Sequence, residues 1–376
     1  MDKGADVNVR NEDGDSPIFA ASQLDNFGVV RLVMDKGADD NVRNEDGDSP
    51  IFAAAQRGNF DVVRLLMDKG ADVNVCNKDG DSPIFAAVQR GNFDVVRLLM
   101  YKGADVNVCN KDGDSPIFAA AQRGNFDVLR LLLDKGADVN ACNKDSDSPI
   151  FAAVQQGKLD VVRLLIDKGA DVNTYNKDGE SPIFAAAQRG NLNVVRLLMD
   201  KGADVNVRNE DGDSLIFATA QQGNIDVVRL LMDKGADVNV RDDDGDTPIF
   251  AGAEVGNLDV VRLLMDKGAD VNTYNKDGES PIFAAAQQGN LDVVSFLMDK
   301  GADVNGCNNS GESLIFAAVR GGNLDIVRIL LDEGADVNAC NESGESPILV
   351  AAEEGNIDVM MVLMDEGANV NECNVF

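Results

Sequence analysis

A single period runs through this chain and constrains its fold more than any other feature. The segment Ser-Pro-Ile-Phe-Ala begins at Ser16, Ser49, Ser82, Ser115, Ser148, Ser181 and Ser280, with variants at Ser214, Thr247, Ser313 and Ser346. Every step between neighbours is 33 residues, without insertion or deletion. Repeats of this length are single supersecondary elements that bury their apolar side only by stacking. The period therefore overrides the prior of two or three globular domains for 376 residues. The expected organisation is one array over 1–376, with complete repeats over 11–373 and partial ones over 1–10 and 374–376.

One repeat, Asn44 to Cys76, shows how the elements arise. Ser49 is a helix N-cap and Pro50 occupies the first helical position, where its missing N–H costs nothing. All nine prolines stand in this slot, and Leu215 and Leu314 replace it in two repeats. Ile51, Phe52 and Ala53 to Ala55 make a short helix with a small, closely approachable surface. Gly58 ends it in the left-handed conformation. A second helix follows, with Phe60, Val62, Val63, Leu65 and Leu66 at helical spacing, and Gly70 stops it. Asp61 and Arg64, three apart, pair on its outer side. The Asp-, Asn- and Gly-rich stretch up to Asp81 is turn chemistry, read as a projecting hairpin. Phe and Leu at these positions are core and line no cofactor pocket.

The period, the Gly-Ala-Asp-Val-Asn segment before a polar turn, and Asp-Gly-x-Ser/Thr-Pro opening a helix resemble the ankyrin repeat. The resemblance covers essentially the whole chain and implies an all-α solenoid with β-hairpin loops, built of eleven complete repeats. Against the family's Thr-Pro-Leu-His, this chain has Ser49-Pro50-Ile51-Phe52 and its relatives, and it contains no histidine. The family's inter-repeat histidine ladder becomes an aromatic one, Phe19 through Phe316 with Leu349 last, each ring adding buried area. The resemblance further implies binding of a partner protein through hairpin tips and the inner face of the first helices, and no catalysis.

Composition bears on partners. A net charge of −31 repels phosphate backbones and anionic membranes. The same charge steers a basic partner or simply keeps a long exposed array soluble. Direct nucleic-acid binding and membrane association are not expected. No stretch is apolar enough to span a bilayer, and the first residues carry no secretory signal. Six cysteines scattered along a long chain fit an intracellular, reducing setting better than a disulfide framework. A monomer is expected, with end-to-end association open to it if its end repeats cap poorly.

Candidate contact residues are those that change from repeat to repeat while the core stays fixed. The slot after Val-Asn-x holds Arg43, Cys76, Cys109, Cys142, Tyr175, Arg208, Arg241 and Tyr274, and continues with Cys307, Cys340 and Cys373. Two residues on, the tips carry Lys78, Lys111, Lys144 and Lys177, whereas repeats with arginine in the first slot carry an acid there. Two readings fit: local charge pairing across each tip, and a banded surface with Tyr and Arg as interface anchors. The cysteines, all in one register, are expected about 8–10 Å apart, too far for disulfides and unsuited to zinc. They read as free thiols.

A second register is acidic throughout, with Asp48, Asp81, Asp114, Asp147, Glu180, Asp213 and Asp246. The resemblance places it on the concave side. Asp13 and its counterparts through Asp277 add another acidic row. Neither has the bidentate glutamate of a calcium loop. Arg57, Arg90, Arg123 and Arg189 at the first helix's end complete the candidate set. No His, phosphate loop, nucleophile elbow or metal spacing is present, so neither catalysis nor a cofactor is expected. The alternative binding role is an acidic decoy that occupies a basic, nucleic-acid-binding surface of another protein.

Overall fold

The computed structural model describes residues 6–370. Among these, the chain forms twenty-two helices of seven to ten residues and no β-strand. They alternate between a first helix opening at proline or leucine, such as Pro50–Arg57, and a second helix such as Phe60–Lys69. This is an all-α repeat solenoid. Contacts divide it into two compact halves, Met1–Pro182 with Asp200–Ala203, and Ile183–Met199 with Asp204–Phe376.

Local signals act as their chemistry dictates. The Ser49 hydroxyl accepts from the Phe52 N–H at 3.3 Å, and Gly58 and Gly70 close their helices with φ of 80° and 107°. Arg64 pairs with Asp61 at 3.0 Å. Within each half, first helices pack on first helices and on their own second helix, as Pro50–Arg57 does against Pro83–Arg90 and Phe60–Lys69. The packing buries Ile51, Phe52, Ala54, Val62, Val63 and Leu66 almost completely. The aromatic row is core: Phe52, Phe85, Phe118 and Phe151 are all buried, each with its N–H on a cap serine. Leu349, the last of the row, is 44% exposed.

The hairpin expectation needs correcting. Among the described residues the tips hold only isolated bridges, Arg208 with Ser214 and Cys307 with Ser313, because each tip is a turn too short for a ladder. Asn44 organises one such turn. Its Oδ1 accepts from the N–H groups of Asp46 and Asp48, while Asp48 O accepts from Asn44 N. Pairing runs between repeats instead: Lys78 N donates to Asp46 O at 2.9 Å and Lys111 N to Asp79 O at 2.8 Å.

That contact dictates the glycine. At Gly47 (φ 81°) an added Cβ would lie 2.8 Å from Lys78 N, so a side chain there requires the next tip to shift. In the repeat with Ser146 at this slot, the residue is held at φ 63°. A non-glycine residue pays about 1 kcal/mol for that conformation. Ser146→Gly is therefore expected to raise unfolding free energy by about 1 kcal/mol in urea titration. Lower stability would show instead that the serine side chain holds its turn.

A second inter-repeat device sits at the helix ends. Asn92 Nδ2 donates to Ala55 O and Gln56 O at 2.9 and 3.1 Å, satisfying carbonyls that the preceding first helix leaves open. Asn59, Asn224, Asn290 and Asn323 do the same one repeat back.

Candidate partner-binding surface

The variable slot is used internally before it can be offered to a partner. Arg43 Nη1 donates to Cys76 O at 3.1 Å, Arg208 to Arg241 O at 2.7 Å, and Arg241 to Tyr274 O at 2.6 Å. Each arginine thus lies along its half and ties its tip to the next. None of the described ion pairs joins an arginine of this slot to the acid two residues on. Tyr175 and Tyr274 stand out at 47% and 39% exposure. Behind them, Thr174 Oγ1 and Thr273 Oγ1 meet the cap hydroxyls of Ser148 and Thr247 at 3.0 and 3.2 Å.

Cys76, Cys109, Cys142 and Cys307 are free thiols, and burial pushes the first three above the ordinary thiol range. Those three are therefore weak nucleophiles. Cys340 departs from the expectation, being disulfide-bonded. Cys373 lies outside the described residues.

The acidic register ahead of the first helix is half-buried rather than displayed. Asn77 Nδ2 donates to Asp48 Oδ1 at 2.9 Å, Asn110 to Asp81 at 3.0 Å, and Asn143 to Asp114 at 3.0 Å. Burial pushes Asp48, Asp81, Asp114, Asp147 and Asp213 above the usual carboxylate range, with the asparagine hydrogen bonds opposing. Asp246 is pushed furthest, to about 6, again chiefly by burial. Glu180 is half-buried in the same register, its N–H on Asn176 Oδ1 at 2.8 Å. The register is thus an inter-repeat fastening as much as a charged surface.

What remains accessible is the row at the turn tips. In the first half, Asp13, Asp46, Asp79, Asp112, Asp145 and Asp178 are all exposed; in the second, so are Asp211, Asp244 and Asp277. Lys78, Lys111, Lys144 and Lys177 are exposed beside them, and Lys177 Nζ reaches Asp145 at 3.4 Å. Arg57, Arg90, Arg123 and Arg189 are exposed at their helix ends. The tip aspartates stand out in sequence only as a repeated acid; that they escape burial depends on the turn projecting them.

A family model described as Ankyrin repeats (3 copies) matches residues 1–76, 69–143, 140–209, 183–275, 215–308, 251–340 and 304–374, which together span nearly the whole chain. The chain belongs to the ankyrin-repeat family. No curated protein matches it. Ankyrin repeats generally mediate protein–protein interaction and are typically non-catalytic scaffolds. The array has no helix long and apolar enough to cross a membrane, and no cluster of potential metal ligands, among the described residues.

Proposed function

We propose that this ankyrin array binds, without catalysis, a partner protein that presents a basic surface, and that the tips make the contact. The observation that supports this reading is the row of exposed tip aspartates, unbroken in the first half and running through Asp277 in the second before Ser310 and Ser343 replace it, set against half-buried acids behind it. Tyr175 and Tyr274 add amphipathic anchors, and Arg57, Arg90, Arg123 and Arg189 add donors for carbonyls or carboxylates on the partner. Charge of one sign along an edge accelerates encounter more than it slows release.

Capture from the cell of origin at low and high salt, with wild type and an Asp79→Asn/Asp112→Asn/Asp145→Asn variant, tests the reading. Exposed charges tolerate such substitution, so the fold is retained. The captured partner should associate about tenfold more slowly with the variant at low salt, and the gap should narrow at high salt. An unchanged rate would defeat the proposal. So would a turnover that a single side-chain change abolishes.

A further inference from the structure

The outer face of the first half carries a feature that the tips and inner side do not explain. The first four second helices begin with Phe27, Phe60, Phe93 and Phe126, where all later ones, from Leu159 on, begin with leucine or isoleucine. Phe126 is 38% exposed, and none of the four is buried. Between neighbouring second helices these rings border open grooves. One, of about 250 Å³, is lined by Phe60, Asp94, Arg97, Leu98 and Tyr101. Another, of about 270 Å³, is lined by Phe126, Asp160, Arg163, Leu164 and Asp167. Each has room for one large side chain and falls below the ~300–1,000 Å³ of sites that engulf whole small molecules.

Tyr101 distinguishes the first groove. It is 83% exposed and takes a slot that is aspartate in the other second helices. In five repeats that aspartate holds the lysine 34 residues later, most closely Asp35 with Lys69 at 3.5 Å, Asp68 with Lys102 at 2.9 Å and Asp134 with Lys168 at 2.8 Å; among the described residues, Lys234 and Lys300 keep the aspartate without pairing to it. Lys135 follows Tyr101 by the same interval, and is the lysine whose slot has a ring in place of the carboxylate. No ion pair forms at Lys135 among the described residues. Asp134, next to it in sequence, is paired with Lys168. On a chain of net charge −31, this face therefore combines an aromatic-walled groove with an uncompensated cation.

We propose that the outer face at Phe60, Tyr101 and Lys135 is a second docking surface, for a protein segment bearing a large apolar side chain with a carboxylate beside it. The apolar group enters the Phe60–Tyr101 groove and the carboxylate replaces the missing aspartate at Lys135. Charge complementarity selects this occupant: the surface is the opposite of the acidic tips and is independent of whatever they bind.

The test uses a blocked dipeptide, N-acetyl-4-fluorophenylalanyl-glutamate amide, followed by ¹⁹F NMR titration against the full chain, with the glutamine analogue as control. Wild type should show saturable millimolar binding, with the glutamate form favoured roughly threefold at low salt. Tyr101→Asp should abolish saturation; aspartate is native to this slot in the other repeats, so folding is preserved. Lys135→Gln should equalise the two dipeptides. Absence of saturable binding to wild type, unchanged binding to Tyr101→Asp, or a glutamate preference that survives Lys135→Gln would each overturn the proposal. The tip-aspartate variant should bind the dipeptides as wild type does, which separates this surface from the one above.

Discussion

Phe118→Ala is expected to lower unfolding free energy by about 3–5 kcal/mol, and to do so locally. The ring is 4% exposed in the helix Pro116–Arg123, which packs on both Pro83–Arg90 and Pro149–Gln155. Truncation removes the transfer free energy of the ring and leaves a cavity at two inter-repeat interfaces at once. In an array coupled only to nearest neighbours, the loss should not spread evenly. Urea titration measures the total. Native-state hydrogen exchange measures its reach, with protection falling in those three first helices while the helices from Pro281 to Glu353 keep theirs. Uniform loss of protection throughout, or a cost below about 1 kcal/mol, would show that this ring is not a keystone of stacked packing.

How much of this could be read beforehand follows from the range of the interactions. Ser49, Pro50, Gly58 and Gly70 act within a few residues, so their roles as cap, helix start and stops are visible in the string itself. The burial of Phe52 and its relatives was legible as well, because an apolar side chain at a fixed position in every repeat has nowhere else to go. The polar rows were not. An asparagine such as Asn77 can face solvent or reach Asp48 across 29 residues, and composition does not distinguish the two. Hence Asp48, Asp81 and Asp114 were expected as displayed ligands and are instead partly consumed by fastening. The less prominent aspartates at the tips prove to be the exposed ones.

The same limit applies to the arginines and to Tyr101. Arg43, Arg208 and Arg241 read from the sequence as interface anchors, and the hydrogen bonds of their guanidinium groups to the backbone of the following tip are not visible there. Tyr101 breaks a slot that is otherwise aspartate, a signal present in the sequence. Its consequence appears only once the Asp35–Lys69 and Asp134–Lys168 pairs show what the missing carboxylate would have held. Repetition thus makes the fold legible and hides function, since each departure from the period matters only through the neighbour that expected the consensus residue.

The fastening acids also set an unusual pH dependence. Asp48, Asp81, Asp114, Asp147, Asp213, Asp246 and Glu279 all sit above their ordinary values, with burial the leading cause. A raised carboxyl binds its proton more tightly folded than unfolded, so it favours the folded state at low pH and loses that contribution as pH rises through the folded value. For Asp246 the window runs from the ordinary 3.8 to about 6. Its Oδ1 and that of Asp147 are buried without a hydrogen-bond partner, so ionisation there is poorly solvated. Asp134, lowered by the hydrogen bond from Lys168, opposes the trend from an exposed site. The array should consequently melt at a higher temperature at pH 5 than at pH 7, the reverse of proteins whose carboxylates are stabilised by folding. Asp246→Asn should raise the melting temperature at pH 7, raise it less at pH 5, and flatten the slope between. Relief of self-repulsion at net charge −31 works in the same direction. Scans in about 0.5 M salt screen that long-range contribution and leave the local one. A melting temperature that rises from pH 5 to 7 at high salt would mean that the buried register is not strained by its own charge.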